Sequence, residues 1–257
     1  MTQPAWQLSR PEHPIEAVII GASGGIGQAM LRTLLNNPAV EHIHAFTRKR
    51  PSQLSQLAME HRQRLSLHSI NLSDEAGIAA AMAQLEGASP NLVLITSGLL
   101  YTETRMPEKS WRQLDEDYFH QQMQINALAP ALLAKHLIPK IPKDRPALFA
   151  ALSARVGSIG DNRLGGWYSY RASKAALNML LKCTAIEAKR RWPQLVVTGL
   201  HPGTVDTSLS APFQARVPEG KLFTPDYCAE SLLKVLDGLT PADSGQVFAW
   251  DGRPITP

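Results

Sequence analysis

Short apolar segments alternate with amphipathic segments along this sequence, and this alternation constrains the fold more than any other feature. The apolar segments have the length of β-strands, and the segments between them space their apolar residues as helices do. Strands that alternate with helices form a parallel sheet whose two faces are covered. The sequence therefore predicts an α/β fold in a single domain over residues 1–257, with a doubly wound, seven-stranded parallel sheet flanked by helices.

The predicted strands are Ile15–Ile20, His42–Thr47, Leu65–Leu72, Leu92–Thr96, Ala147–Leu152, Val196–Leu200 and Gln246–Trp250. The predicted helices lie near residues 25–37, 51–61, 74–85, 107–137, 166–191 and 225–236. The least regular stretch is 206–222, which is rich in Pro, Ser and Gly and is predicted to form a loop over the functional site.

Composition limits the classes of protein to which the chain can belong. Its 257 residues, 44% of them hydrophobic, can bury a large core, and its net charge of +4 is spread without a basic face interleaved with aromatic residues. No apolar run approaches the length of a membrane span, and residues 1–14 are polar without the core of a signal peptide. We therefore expect a cytoplasmic protein with neither nucleic-acid nor membrane partners.

Cysteine and histidine residues show no metal-binding pattern in the sequence. Cys183 and Cys228 lack the short spacing of metal ligands, and both fall in predicted helices. Two reduced, buried thiols are typical of a cytoplasmic protein. We therefore expect no disulfide and no metal ion.

A glycine-rich stretch, Gly21-Ala22-Ser23-Gly24-Gly25-Ile26-Gly27, directly follows the first predicted strand and opens a helix. Glycines let the backbone turn tightly and approach a pyrophosphate closely, and the start of a helix supplies unpaired N–H groups with a positive dipole potential. The pattern predicts a dinucleotide-binding turn. Its predicted cofactor contacts are Gly21, Ser23, Gly25, Ile26 and Gly27.

Tyr170 and Lys174 lie four residues apart in a predicted helix, so their side chains share one face. A free phenol has a pKa of about 10, and a nearby positive charge favours the phenolate. We expect Lys174 to lower the pKa of Tyr170 and to make this phenol a general acid or base near neutral pH.

Together these motifs resemble the short-chain dehydrogenase/reductase family, and within it the branch of C-factor-like bacterial proteins and insect carbonyl reductases. The resemblance covers nearly the whole chain. It is carried by Gly21-x-x-x-Gly25-x-Gly27, Asn126 in a long helix, a serine after the fifth strand, Tyr170-x-x-x-Lys174 and His201-Pro202-Gly203-Thr204-Val205-Asp206-Thr207. It implies a Rossmann fold and an oxidoreductase that interconverts a small-molecule carbonyl and a secondary alcohol by hydride transfer.

The resemblance also implies catalytic roles. Tyr170 exchanges a proton with the substrate oxygen, Lys174 lowers the tyrosine pKa and binds the nicotinamide ribose, and Asn126 supports a water-linked proton relay. Serine holds the substrate oxygen, but the usual Ser-Ser-x-x-Gly, aligned on Gly157, places Ala154 where the catalytic serine stands. We assign the role to Ser153, with Ser158 as the alternative.

For the cofactor, the resemblance implies NADP(H), with NAD(H) as the alternative. Members that prefer NAD carry an acidic residue at the end of the second strand, where this chain has Thr47 followed by Arg48, and a guanidinium can pair with a 2′-phosphate. The further cofactor contacts implied by the family motifs are Asn71, Leu72, Gly98, Tyr170, Lys174, Pro202, Gly203, Val205 and Thr207.

Two further expectations concern assembly and an alternative function. Residues 123–137 and 172–186 are apolar on more than one helical face, and the family pairs these helices across a two-fold axis, so we expect a homodimer or homotetramer. The alternative function is a dinucleotide-binding signalling or regulatory protein with little turnover. The tyrosine and lysine favour catalysis, whereas the missing second serine favours the alternative.

Overall fold

Seven parallel strands form the central sheet of the computed structural model, which describes residues 13–257. The strands of this sheet are β1 (Ile15–Ile20), β2 (Val40–Thr47), β3 (Leu65–Ser69), β4 (Leu92–Ile95), β5 (Ala147–Leu152), β6 (Leu195–His201) and β9 (Val247–Ala249), while β7 (Thr204–Val205) and β8 (Leu222–Phe223) form a separate parallel pair. The α-helices are α1 (Gly25–Leu35), α2 (Ser52–Glu60), α3 (Glu75–Ala83), α4 (Glu116–Met123), α5 (Ala129–Leu137), α6 (Tyr168–Ala188) and α7 (Pro225–Asp237).

The strand order of the main sheet is β3-β2-β1-β4-β5-β6-β9. The order reverses between β1 and β4, so the crossovers that follow these two strands leave the sheet in opposite directions. Open parallel sheets bind ligands at the carboxyl ends of the strands beside such a reversal. This topology confirms the predicted doubly wound Rossmann fold and places a crevice between the ends of β1 and β4.

Both faces of the sheet are buried, as a parallel sheet requires. Alternate side chains of β1 show this, because Ile19 packs into the core beneath α1 and α7, whereas Val18 and Ile20 pack into the core beneath α3, α5 and α6. An apolar run without polar alternation therefore encodes a central strand here.

The long helix predicted for residues 107–137 starts later than expected. Its first helical part, α4, begins at Glu116, where the side chain of Asp115 accepts a hydrogen bond from the Tyr118 N–H and caps the helix. Residues Gln124–Leu128 then form a π-helical turn before α5. The third strand is also shorter than predicted and ends at Ser69.

The stretch 206–222, predicted as an irregular loop, contains a 3-10 helix at Ala211–Arg216. It is closed at its ends by the pairing of β7 with β8, in which Val205 stands beside Phe223. The two ends of this loop are therefore held together by strand pairing.

The expectation of two buried thiols is wrong for one cysteine. Cys228 is buried in α7, where burial raises the pKa of its thiol to about 12. Cys183 is exposed, because Leu181 and Ala185 occupy the buried face of α6. Both thiols are free.

Residues 1–12 lie outside the described part of the chain, so most of the polar segment considered for a signal peptide is not described. Among residues 13–257, no helix is long and apolar enough to cross a membrane. Within the same residues, no group of three or more His, Cys, Asp and Glu side chains is placed to hold a metal ion.

Candidate active site

A cavity of about 1340 Å³ opens at the carboxyl edge of the sheet, where the strand order reverses. It is larger than the roughly 300–1,000 Å³ of a site for one drug-sized ligand. Most of the residues predicted from the sequence line this cavity together. They are Gly21, Ser23, Gly25, Ile26, Arg48, Asn71, Leu72, Gly98, Ser153, Tyr170, Lys174, Pro202 and Thr207.

The glycine turn is built by backbone contacts that no side chain could tolerate. Gly21 has φ +95°, and a Cβ there would lie 2.6 Å from the Ser97 nitrogen. Gly27 lies behind the turn, where a Cβ would lie 2.3 Å from the Gly21 oxygen. Gly24 caps α1 without a side-chain hydrogen bond, and the first turn of α1 holds no acidic residue. The amide groups at this helix start are therefore suited to an anionic ligand.

The segment after β6 lies against this turn. A Cβ at Gly25 would lie 2.6 Å from Cγ2 of Thr207, so the two segments meet at van der Waals distance. Pro202 and Thr207 line the cavity, whereas Gly203 packs against an aromatic ring behind it and Val205 is buried in β7. Only part of the predicted motif therefore faces the cavity with its side chains.

Cationic side chains stand at the end of β2. Arg48 and Lys49 line the cavity next to Ser23, whose hydroxyl lies 2.6 Å from Oγ1 of Thr47. Thr47 is buried, and its hydroxyl also donates to the Lys49 carbonyl, which holds the basic turn against the glycine turn. This end of the cavity could hold a phosphate by charge as well as by amide groups.

Asn71 and Leu72 border the cavity, but the amide of Asn71 is engaged within its own turn. Its Nδ2 donates to Asp74 at 3.0 Å, and its Oδ1 accepts from the Ser73 N–H at 3.0 Å. The Leu72 carbonyl accepts a hydrogen bond from Nε2 of Gln124, a cavity residue that sequence reasoning missed. These two bonds leave one hydrogen of Nδ2 and one lone pair of Oδ1, so the contact of Asn71 with the cofactor stays a prediction.

Tyr170 and Lys174 are buried side by side in α6. Nζ of Lys174 lies 5.8 Å from the centroid of the Tyr170 ring and donates to the Leu152 carbonyl at 2.8 Å. Burial lowers the pKa of Lys174 to about 8, because the charged form loses its hydration. Burial also raises the pKa of Tyr170. Desolvation alone accounts for this rise, so the lowering of the tyrosine pKa by Lys174 stays a prediction.

The two candidate serines lie in different surroundings. Ser153 lines the cavity, and its hydroxyl donates to Oδ1 of Asn178, one turn beyond Lys174, at 2.6 Å. Ser158 is buried away from the cavity wall, where its hydroxyl contacts the Pro257 carbonyl at 3.3 Å. The geometry favours Ser153 of the two, although its proton is already donated within the protein.

Asn126 is fully engaged with the chain segment beside the cavity. It lies in the π-helical turn, a feature frequent at functional sites. Its Oδ1 accepts from the Leu99 N–H at 2.8 Å, and its Nδ2 donates to the Leu99 carbonyl at 2.7 Å. Gly98 lies next to this contact, since a Cβ there would be 3.5 Å from Oδ1 of Asn126 and 3.9 Å from Nζ of Lys174. Asn126 therefore positions residues 98–99 rather than lining the cavity with its side chain.

Two further polar residues of the site were missed by sequence reasoning. Ser97 lines the cavity, and its buried hydroxyl has no hydrogen-bond partner among the described residues. Glu108 is buried, and its carboxylate accepts bonds from both Oγ and the N–H of Ser169 at the start of α6. No local pattern marks either residue, because the Ser97 hydroxyl has no partner among the described residues and the partner of Glu108 is remote in sequence.

These features fit a dinucleotide. The helix start at the glycine turn and the guanidinium of Arg48 suit phosphates, and the unpartnered hydroxyl of Ser97 offers a donor or acceptor to a polar ligand. The Tyr170 and Lys174 side chains line the same cavity as these groups. The arrangement could therefore hold a dinucleotide and a small second ligand beside a proton donor.

Comparison with known proteins gives the same assignment. A family model described as short chain dehydrogenase matches residues 16–217. The chain is 31% identical over 185 residues to 1-hydroxy-2-glutathionyl-2-methyl-3-butene dehydrogenase of Rhodococcus sp. (strain AD45), covering 71% of this chain and 76% of that protein. It is 35% identical over 132 residues to the C-signal of Myxococcus xanthus, covering 51% and 74%.

Among solved structures, the fold is similar to that of an NADPH-bound carbonyl reductase from chicken fatty liver. The TM-score is 0.81 and the sequence identity 27%, and the match covers 99% of this chain and 100% of that one. The matched family region includes the glycine turn and the Tyr170–Lys174 pair. The chain therefore belongs to the short-chain dehydrogenase family of oxidoreductases.

Proposed function

We propose that this protein is an NADP(H)-dependent oxidoreductase that interconverts a small-molecule carbonyl compound and a secondary alcohol. One observation carries the proposal: a single cavity joins the glycine turn and Arg48 to the buried pair Tyr170 and Lys174. The carbonyl reductase similar in fold binds NADPH, which supports the same cofactor here.

The cofactor would be held by backbone amides at the start of α1 and by side chains around them. Gly21, Gly25 and Ile26 offer close backbone approach, and Arg48 offers a charged partner for a 2′-phosphate. When bound, the nicotinamide supplies or accepts a hydride at the carbonyl carbon. The preference for NADPH over NADH is part of the proposal.

Tyr170 would give its proton to the carbonyl oxygen during reduction. Burial raises the pKa of this phenol, so the hydroxyl is protonated at neutral pH and available as a donor. The transfer leaves a phenolate in a buried site, which a neighbouring cation must stabilise. Lys174 is the buried cation that lies beside the ring.

Lys174 would therefore serve twice, by stabilising the phenolate and by binding the ribose next to the nicotinamide. Burial lowers the pKa of Lys174 to about 8, so in most molecules its amine is still charged at pH 7. Ser153 would hold the substrate oxygen after its hydroxyl leaves Asn178. Asn126 would support a proton relay from the π-helical turn.

A second candidate function is a dinucleotide-binding signalling protein with little turnover. Ala154 favours it, because this residue replaces the serine that the family pattern places at the substrate oxygen. The similarity to the C-signal of Myxococcus xanthus points in the same direction. In this case NADPH would bind with ordinary affinity and would not be consumed.

The experiment follows NADPH consumption by the purified protein with a panel of aldehydes, ketones and quinones. The proposed function expects turnover that depends on Lys174, tested with Lys174→Ala, and on Ser153 more than on Ser158, tested with Ser153→Ala and Ser158→Ala. Calorimetric binding of NADPH without turnover of any compound would instead support the signalling function.

We also propose a homo-oligomer built through the outer faces of α5 and α6. Leu128, Met179 and Ile186 are exposed large hydrophobic side chains on or next to these helices. Apolar surface of this kind marks interaction sites. Light scattering that gives the mass of a monomer, 28.2 kDa, would exclude this assembly at the concentration measured.

A further inference from the structure

Residues 254–257, which we call the tail, fold back beside the segment that leads into α6. The Ile255 N–H donates to the Val247 carbonyl at 2.8 Å, so the tail runs antiparallel along β9. The Pro257 carbonyl then accepts hydrogen bonds from the Gly160 N–H at 3.1 Å and from the Ser158 hydroxyl at 3.3 Å. The tail is therefore fastened to a stretch of chain about a hundred residues earlier in the sequence.

Ser158 links the tail to this stretch. Its hydroxyl donates to the Pro257 carbonyl and accepts a hydrogen bond from the Asp161 N–H at 3.1 Å. The side chain is buried and is not among the residues that line the cavity. A hydroxyl has one proton, and here that proton already has an acceptor within the protein. Ser158 is therefore placed to hold chain segments together and not to hold a substrate oxygen.

The 3-10 turn Arg155–Gly157, directly before Ser158, lies against α6 at Lys174. A Cβ at Gly157 would be 2.8 Å from the backbone carbonyl carbon of Lys174 and 2.8 Å from its Cβ, so the two segments meet without a gap. At the start of the same segment, the Leu152 carbonyl accepts a hydrogen bond from Nζ of Lys174 at 2.8 Å. A shift of residues 152–157 must therefore move Lys174 or break these contacts, because a close-packed interior transmits displacement.

We propose that Ser158 is a positioning residue for the reaction, and that the tail is its anchor. Held by Pro257, Ser158 fixes the end of the 3-10 turn, and the turn keeps Lys174 and Ser153 at their places in the cavity wall. This inference rests on the proposed function, in which Lys174 stabilises the phenolate. Catalytic groups must stand close to their productive geometry, and small misplacements by residues remote from the chemistry lower the rate of reaction.

Two other roles for Ser158 compete with this one, namely direct contact with the substrate and a contribution to stability alone. Removal of Thr256 and Pro257 separates them, because it takes away the carbonyl that Ser158 bonds and keeps the Ser158 hydroxyl itself. Ser158→Ala makes the opposite change. Two changes that act through one contact are not additive, whereas independent effects on a rate multiply.

The experiment measures kcat and KM from NADPH consumption with a confirmed carbonyl substrate, NADPH affinity by calorimetry, and the free energy of unfolding in urea. Ser158→Ala and the protein without Thr256 and Pro257 should each lose about three- to tenfold in kcat, as expected for one neutral hydrogen bond. NADPH affinity should change little, because the glycine turn is untouched. The protein with both changes should lose no more than Ser158→Ala alone.

Ser244→Ala is the matched control. The Ser244 hydroxyl accepts a hydrogen bond from the Val197 N–H at 3.0 Å, so this variant also removes one hydroxyl that joins two chain segments. Ser244 does not line the cavity. The variant should lower the free energy of unfolding and leave kcat unchanged.

Four outcomes decide the inference. Losses in kcat that multiply would show that Ser158 acts apart from the tail and would overturn it. An unchanged kcat in both variants, with only stability lowered, also overturns it, as does a loss of NADPH affinity as large as that of kcat. If Ser158→Ala does not fold, the protein without Thr256 and Pro257 decides alone, since it keeps every residue of the site. If the parent consumes NADPH with no aldehyde, ketone or quinone, the proposed function fails first, and the inference with it.

Discussion

The turn after β1 and the segment after β5 both form walls of the cavity, but they are held in different ways. Residues 21–27 are shaped mainly by their own backbone, as in the hydrogen bond from the Gly24 N–H to the Gly21 carbonyl at 3.0 Å. Residues 153–170 are held by remote groups. Ser153 bonds Asn178, Ser158 contacts Pro257, and the start of α6 bonds Glu108.

This difference explains why the sequence predicts the wall formed by residues 21–27 but not the wall formed by residues 153–170. A backbone site depends on residue types in one short stretch, since glycine alone permits its φ angles and close approaches. A side-chain site depends on partners that the fold brings from far along the chain. Local motifs therefore predict the glycine-turn end of the cavity better than the Tyr170 end. We call these the cofactor end and the substrate end, after the ligands proposed for them.

The largest expected effect is a loss of catalysis at the substrate end without a loss of NADPH binding. Tyr170→Phe should leave the fold and NADPH binding intact, because only a hydroxyl is lost, while carbonyl reduction falls by about 10²–10⁴-fold. Steady-state turnover with a confirmed substrate measures the loss, and calorimetry measures NADPH affinity. Tyr168→Phe, at the exposed tyrosine two residues earlier, is the matched control. Turnover close to that of the parent would remove Tyr170 from the mechanism.

A smaller effect is expected on NADPH binding at the cofactor end. Gly27→Ala should weaken NADPH binding by about ten- to hundredfold, because overpacking of about 1–3 kcal/mol must distort the turn. The introduced Cβ would lie 2.3 Å from the Gly21 oxygen. Gly238→Ala, where the nearest atom is 3.6 Å from a Cβ, should bind NADPH normally. Normal binding by Gly27→Ala would show that the turn is not a cofactor site.

The charge at the cofactor end sharpens the comparison further. Arg48→Glu should weaken NADPH binding by about tenfold or more and shift preference towards NADH, because a charge-assisted bond worth about 1.5–3 kcal/mol is replaced by repulsion. Calorimetric titration of both cofactors at low and high salt measures it. Arg50→Glu changes the same charge two residues on and is the control. Equal affinity of the parent for NADPH and NADH would contradict the proposal.

At the substrate end, Glu108→Gln should weaken the cap of α6. We expect kcat/KM for carbonyl reduction to fall by about tenfold with NADPH affinity unchanged, because a charge-assisted bond to Ser169 is lost and the turn before Tyr170 loosens. Glu103→Gln, at an exposed position of the same segment, should have no effect. An equal loss of NADPH affinity would show that Glu108 acts on the whole fold instead.

The smallest effect is on stability and depends on pH. Burial lowers the pKa of His201 to about 4, with Arg155 adding to the shift and Asp251 opposing it. The unfolded state therefore binds more protons below its pKa of about 6.5, so the free energy of unfolding should fall as pH drops from about 6.5 towards 4. Urea unfolding at several pH values measures the slope.

Two histidine variants show how much each histidine contributes to the pH dependence of the free energy of unfolding. Burial also lowers the pKa of His68, on β3 at the cofactor side. His201→Asn and His68→Asn should each flatten part of the slope, with the larger change from His201, which is the more deeply buried. An unchanged slope in both variants would place the pH dependence elsewhere.

Several predictions from the sequence are confirmed and others are wrong, and the division follows the same physics. The parallel sheet and the family are confirmed, because apolar runs and short motifs encode them. The burial of Cys183 is wrong, because helical membership does not say which face of α6 is covered. Burial raises the pKa of Tyr170, which the spacing of the two residues does not report, and the opposing effect of Lys174 stays a prediction. The site roles remain predictions.

By itself, the sequence determined the strands and helices, the glycine turn and the placement of Tyr170 beside Lys174. Each of these depends on residues that are close together in the sequence. The tertiary structure alone decided that Ser153 faces Asn178, that Glu108 caps α6, and that Tyr101 and Phe213 meet Trp167. Those partners are separated by tens of residues, and only the packing of the folded chain brings their side chains within bonding distance.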